Sequence, residues 1–82
     1  MGVNRIYPFY RVKSTVRKFA ERLKELREEK GLSQMRLAMA TGLGKTAIGF
    51  WEKNQTDITS DNLIVLAEFF NVTVGYLLGT ES

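Results

Sequence analysis

The residues whose types and spacing most clearly suggest chemistry are a lysine and a threonine that directly follow a glycine-rich turn. They belong to the segment Gly42-Leu43-Gly44-Lys45-Thr46. Such residues can bind nucleotide phosphates, but a phosphate loop also needs a glycine five residues before Gly44 and a preceding strand. That position is Met39, and the pattern before it is helical. The segment therefore does not predict a nucleotide site.

The composition argues against catalysis and metal binding. The 82 residues include no cysteine and no histidine, which removes disulfides, thiolate ligands, the commonest zinc ligand and the commonest general base. The acidic residues form no cluster with metal spacing, and no apolar run approaches the roughly 18 residues that cross a bilayer. We therefore expect one small cytoplasmic domain that is not an enzyme and holds no cofactor or metal, with no membrane and no small-molecule ligand as partner.

Positive charge is concentrated at the N-terminus. The net charge is +3, and residues 1–18 hold five bases and no acid, which leaves seven bases and nine acids for the rest. A basic arm on a near-neutral body suits a polyanion such as DNA, and the alternative is a solvated tail. We expect residues 1–13 to form this basic and aromatic arm, which either tracks the DNA backbone or packs on a second subunit. Residues 14–79 would form the domain, and residues 80–82 a C-terminal tail.

The elements that must position Lys45 and Thr46 are helices. Apolar residues recur at helical spacing from Ser14 onward, and glycines and capping residues separate the segments. This pattern predicts an all-α fold with five helices. The first runs from Ser14, as its cap, to Lys30, and the second and third cover Gln34–Ala40 and Lys45–Glu52. The fourth and fifth follow the capping residues Thr59 and Thr73.

The second and third helices are short and joined by a turn that contains glycine, which makes a helix-turn-helix. The stretch from Ala20 to Gly79 resembles the Xre family of phage-repressor or Cro-like helix-turn-helix domains and covers about three quarters of the chain. The matching pieces, in order, are Arg22-Leu-Lys-Glu-Leu-Arg27, Lys30-Gly-Leu-Ser-Gln34, Leu37-Ala38, Thr41-Gly42-Leu43, Thr46-Ala-Ile48, Trp51-Glu52, Leu63 to Ala67, and Val72 with Tyr76-Leu-Leu-Gly79.

The resemblance implies a DNA-binding transcription regulator, with the third helix in the major groove. Gln34 would reach a phosphate or a neighbouring base-contacting side chain, and Gly44 takes the place of the usual serine cap. Lys45 would donate to O6 and N7 of guanine, and Thr46 would meet a thymine methyl or a phosphate. The other residues that it places at DNA are Gly49, Phe50, Lys53, Asn54 and Gln55, the last three holding a phosphate through their backbone N–H groups. Phe50, where the family usually has a polar residue, would either touch thymine methyl groups or pack on its neighbours.

The resemblance also implies structural contacts. Arg27 and Glu52 lie where the family often has an inner ion pair, and Phe70, Asn71 and Val72 are candidate dimer contacts. We expect a bacterial or phage protein, associated with the nucleoid, that represses transcription as a homodimer on a palindromic operator in double-stranded DNA. The alternative is a protein-interaction module of the same fold that does not bind DNA.

Overall fold

The computed structural model describes residues 13–55 and 57–81, with side chains from Lys18 onward, and the elements in this part of the chain are helical. The helices are α1 (Lys13–Glu29), α2 (Gln34–Thr41), α3 (Lys45–Glu52), α4 (Ser60–Phe70) and α5 (Val74–Leu78). The all-α prediction is confirmed. The predicted arm, residues 1–13, lies outside the described residues except for Lys13, which belongs to α1.

The predicted cap of the first helix is wrong. Ser14 is the second residue of α1 and not the residue before it. Serine is tolerated in a helix as well as at a cap, and its presence alone does not fix where a helix starts. The end of α1 follows the prediction more closely, because Gly31 takes the left-handed conformation, with φ of 70°.

Local capping explains where three of the other helices begin. A hydroxyl oxygen before α2, α4 and α5 accepts a hydrogen bond from a backbone N–H in the first turn, at 3.0, 3.2 and 2.9 Å. Each bond satisfies one of the N–H groups that a helix leaves without an internal partner. The capping residues are Ser33, Thr59 and Thr73.

The five helices of the described residues contribute to one core. Phe19 and Leu23 of α1 are buried, and the Phe19 ring meets the edge of Trp51 with ring centroids 6.2 Å apart. The Trp51 indole N–H donates to the carbonyl oxygen of Asp57 at 3.2 Å, which ties the loop after α3 to the core. Two helices of eight residues cannot bury enough apolar surface alone, so α1, α4 and α5 form the support on which α2 and α3 rest.

The C-terminal segment is held on α1 by one arginine. The Arg22 Nη1 group donates to the carbonyl oxygens of Tyr76 and Glu81, at 2.7 and 3.1 Å, and its guanidinium carbon lies 4.0 Å from the centre of the Tyr76 ring. A cation over an aromatic face adds to these hydrogen bonds. Among the described residues, no helix is long and apolar enough to span a membrane.

Candidate nucleic-acid interface

The turn between α2 and α3 fixes their relative orientation through local hydrogen bonds. Gly42 closes α2 with φ of 78°, and its N–H donates to the carbonyl oxygen of Ala38 at 2.8 Å. The Thr41 hydroxyl donates to the carbonyl oxygen of Leu37 at 2.8 Å and accepts from the N–H of Leu43 at 3.2 Å. The turn is therefore closed by hydrogen bonds of its own backbone and of one side chain, and these restrict how α3 is oriented relative to α2.

The inner and outer faces of α3 differ sharply. Ile48 and Trp51 are buried against the other helices, whereas Lys45 and Thr46 at the start of the helix are exposed. Gly44 precedes them without a side-chain cap, so the first N–H groups of α3 have no side-chain partner there. Since this outward end holds a cation and a hydroxyl, it can donate hydrogen bonds to base edges or phosphates.

The middle of the outer face is partly apolar. Gly49 is half-buried, and the Phe50 side chain is 44% exposed, so Phe50 does not pack into the core. On α2, Met35 and Met39 are also exposed, at 50% and 76%. An exposed phenylalanine on the outer face of α3 can meet an apolar group of a partner, such as a thymine methyl.

An ion pair joins α1 to the end of α3. Arg27 donates from Nε and Nη2 to the two carboxylate oxygens of Glu52, at 2.7 and 3.0 Å, and from Nη1 to the carbonyl oxygen of Leu32 at 2.6 Å. The two side chains are 11% and 4% exposed. The hydrogen bond to Glu52 raises the pKa of the Arg27 guanidinium, and partial burial opposes this rise. This geometry is that of the bidentate pair that arginine forms best with a carboxylate.

The same carboxylate also binds α2. The Gln34 Nε2 group donates to Glu52 Oε1 at 3.1 Å, so one residue of α3 holds α1 and α2 together. The family resemblance implies the Arg27–Glu52 pair but not this third partner. The sequence contains no signal for the contact between Gln34 and Glu52, because nothing in the spacing of residues 34 and 52 indicates that their side chains meet.

The exposed charge of the helix-turn-helix is positive. From Ser33 to Gln55, a stretch described throughout, the charged residues are Arg36, Lys45, Glu52 and Lys53. The three cations are exposed, whereas the carboxylate is buried in its pair with Arg27. The acids that make the body of the chain net negative therefore lie outside this unit, and the unit itself presents positive potential.

The expected phosphate contact through the backbone after α3 needs correction. The N–H of Lys53 donates to the carbonyl oxygens of Gly49 and Phe50, that of Asn54 to Trp51, and that of Gln55 to Phe50, at 3.0–3.2 Å. Asn54 takes the left-handed conformation, with φ of 62°, and this closing turn uses all three donors. A phosphate at this end of α3 would therefore have to meet the side chains of these exposed residues.

The candidate dimer contacts separate into two groups. Phe70 lies in the core, with 7% exposed, and it is not available as a surface contact. Asn71 is exposed in the left-handed conformation that ends α4, and Val72 is half-buried against the core. The exposed apolar residue on α4 is instead Ile64, at 47%.

Comparison with known proteins assigns the family. A helix-turn-helix family model matches residues 23–77, which span all of α2, α3 and α4 and the turn between the first two. The chain belongs to this helix-turn-helix family, of the Xre-like type of DNA-binding transcription regulators.

Individual relatives agree with this assignment. The chain is 39% identical over 59 residues to the control protein C.SmaI of Serratia marcescens, covering 72% of this chain and 70% of that protein. It is 33% identical over 61 residues to the uncharacterized HTH-type transcriptional regulator YobD of Bacillus subtilis (strain 168), covering 74% of this chain and 54% of YobD. It thus spans about half the length of this relative.

A solved structure has the same fold. The crystal structure of the restriction-modification controller protein C.AhdI from Aeromonas hydrophila superposes with a TM-score of 0.69 at 37% sequence identity. The match covers 76% of this chain and 94% of that one. The helical architecture around α2 and α3 is therefore shared with a regulatory protein of known structure.

Proposed function

We propose that this chain represses transcription by binding a palindromic operator in double-stranded DNA as a homodimer, with α3 in the major groove. One observation carries the proposal: the exposed charge from Ser33 to Gln55 is wholly positive, and its single acid is buried in an ion pair. A unit with this charge attracts the phosphate backbone, and its exposed helix end can enter the groove.

Sequence choice would come from the start and the middle of α3. Lys45 would donate to O6 and N7 of a guanine, and Thr46 would meet a thymine methyl or a phosphate. Phe50, exposed four residues after Thr46, would touch a further thymine methyl. Gln34 and the half-buried Gly49 complete this surface.

Most of the affinity would come from phosphates. The N–H groups that follow Gly44 and the side chains of Lys53, Asn54 and Gln55 lie at the two ends of α3, where they would position the helix on the backbone. These contacts carry little sequence information. Their loss would weaken binding to all sequences alike, whereas the loss of Lys45 would change the preferred sequence.

The proposed dimer and its repression of transcription depend on how two domains would be spaced on DNA. One domain contacts a single half-site, and two half-sites one helical turn apart multiply the affinity. Asn71 and Val72 are the candidate contacts that remain at the surface, with Ile64 on the adjoining helix. A dimer on its operator would repress by excluding polymerase from an overlapping promoter.

The test is selection from a randomised duplex pool, with sequencing, for the wild type, Lys45→Ala and the control Lys24→Ala. Lys24 is exposed on α1, outside the helix-turn-helix unit, and its loss removes the same charge. We expect the wild type and the control to enrich one palindrome and Lys45→Ala to relax it. Sedimentation of the protein–DNA complex should give two chains per site. Enrichment of an unpaired half-site by a single chain would refute the dimer.

A protein-interaction module is the second candidate, favoured by the exposed Phe50, Met35 and Met39 on the same unit. Interfaces are enriched in aromatic residues and methionine. The same selection separates the two functions: no enrichment at roughly 50 mM salt, where electrostatic binding is strong, would refute the DNA-binding proposal. Loss of partner binding in Phe50→Ser would then support the module.

A further inference from the structure

The hydrogen bond between Gln34 and Glu52 determines which end of the Gln34 side-chain amide faces the Glu52 carboxylate. An ionised carboxylate only accepts hydrogen bonds, so the NH₂ group of Gln34 must face Glu52. The contact joins Gln34 Nε2 and Glu52 Oε1 at 3.1 Å. Glu52 is itself fixed by two hydrogen bonds from Arg27. The amide therefore has one orientation, set by a buried ion pair behind it.

The other end of this amide lies over a glycine. A Cβ atom placed on Gly49 would lie 3.5 Å from Gln34 Oε1, an ordinary van der Waals contact. Gly49 follows Lys45 by four residues, so these two share one face of α3, and Lys53 comes four residues after Gly49, directly after the helix ends. Two exposed cations thus flank a position that has no side chain of its own, and the carbonyl oxygen of Gln34 lies beside it.

We propose that Gln34 is a specificity-determining residue whose carbonyl oxygen reads a base at the Gly49 position of α3, and that Glu52 is the positioning residue that orients it. A hydrogen-bond acceptor in the major groove selects an exocyclic amino group, that is, N6 of adenine or N4 of cytosine. It disfavours O6 of guanine and O4 of thymine, which are acceptors themselves. This inference rests on the proposed function, because it requires α3 in the groove.

The orientation of the Gln34 amide matters because a freely rotating amide would not discriminate between bases that donate and bases that accept hydrogen bonds. An unrestrained glutamine can rotate to present NH₂ to an acceptor base or C=O to a donor base. Turning Gln34 over would place its oxygen against the Glu52 carboxylate and break the bond that holds it. The ion pair with Arg27 thus acts on sequence choice through the amide, although neither charged side chain touches DNA.

The first test uses the duplex selection with Gln34→Met, which keeps the length of the side chain, removes both polar ends and leaves the Arg27–Glu52 pair intact. Glu25→Met is the control, because Glu25 is exposed on α1, outside the helix-turn-helix unit, and has a side chain as long as that of glutamine. We expect Gln34→Met to lose a preference for adenine or cytosine at one position of each half-site, by about 5-fold or more. The other positions and the control should be unchanged.

Three outcomes of this selection separate a failure of this inference from a failure of the function on which it rests. If the wild type enriches a palindrome but Gln34→Met weakens binding to all sequences alike, Gln34 contacts a phosphate and the base readout is refuted alone. If Gln34→Met has the wild-type preferences and affinity, the readout is also refuted. A wild type that enriches no sequence refutes the proposed function, and the base readout with it.

The second test measures positioning without DNA and without a mutation that endangers folding. The side-chain NH₂ groups of Gln34 and Gln55 are compared by ¹⁵N relaxation of the wild-type protein. We expect the Gln34 amide to be nearly as rigid as the backbone, with an order parameter of about 0.8, and that of exposed Gln55 to fall below about 0.6. Equal mobility of the two amides would refute the positioning role of Glu52.

Discussion

The ion pair between Arg27 and Glu52 allows a quantitative test of how the helix-turn-helix is held in place. Arg27→Met keeps the aliphatic part of the side chain and removes the three N–H donors that bind Glu52 and the carbonyl oxygen of Leu32. Among the described residues, the Glu52 side chain, 4% exposed, would retain only the Gln34 amide as its partner. A carboxylate in that position is buried and nearly uncompensated.

The expected magnitude follows from this burial. Removing one partner of a buried pair costs roughly 3–5 kcal/mol. A chain of this length has a free energy of unfolding of about 4–12 kcal/mol, so Arg27→Met removes a large fraction of it. With an m-value of about 1–1.5 kcal/mol per molar urea, the midpoint of unfolding should fall by about 2 M or more.

The assay is urea unfolding, followed by circular dichroism and by the fluorescence of Trp51, the single tryptophan and a core residue. Lys24→Met on the exposed face of α1 is the control for loss of a cation, and it should change stability by less than about 0.5 kcal/mol. Replacing both partners, Arg27→Met with Glu52→Met, should restore much of the loss, since an apolar pair leaves no buried charge.

Two results would contradict this reasoning. A loss below about 1 kcal/mol for Arg27→Met would mean that the pair behaves like a solvated surface pair. Additive losses in the double variant, within about 0.5 kcal/mol, would mean that the two side chains do not depend on each other. Either result would also remove the support that Glu52 is inferred to give to Gln34.

Substitutions at three further positions test the surrounding structure by thermal unfolding. Gly49→Ala should stabilise the protein by up to about 1 kcal/mol, because alanine favours a helix and its Cβ fits beside Gln34; a lower melting temperature would show that the site cannot accept it. Ile58→Ala should cost about 2–5 kcal/mol, since Ile58 is 3% exposed in the core, and a loss below about 1 kcal/mol would contradict that packing. Asn54→Ala should lower the free energy of unfolding by about 1–2 kcal/mol because φ is 62° at this position, which alanine adopts only with strain. Asn54→Gly should not destabilise the protein, since glycine takes a positive φ readily. Equal effects of the two substitutions would refute this explanation from backbone conformation.

Much of the helical architecture could be predicted from the sequence because its signals are local. Ser33, Thr59 and Thr73 cap helices that begin at the next residue, and the predicted bounds of α3 agree with the structure. A capping bond joins residues three apart, so the chain order contains the information. The start of α1 was missed because Ser14 is equally compatible with the first turn.

The candidate site was less predictable because it depends on which polar groups are already used. Asparagine readily takes the left-handed conformation observed at Asn54, but only the folded structure has the N–H groups of Lys53, Asn54 and Gln55 bound within the turn. Phe70 similarly falls at the end of α4, where a surface position was expected, and packs into the core. Burial and hydrogen-bond partners are properties of the assembled helices.

The sequence by itself determined the helices, their inner faces and the family, because capping, periodicity and motif spacing act over a few residues along the chain. The tertiary structure decided the arrangement around Glu52. Its carboxylate meets Arg27 and Gln34, which lie 25 and 18 residues away, and these meetings require α1, α2 and α3 to pack first. Long-range contacts of this kind leave no periodic signal, yet they bury the only acid of the helix-turn-helix and leave its exposed charge positive.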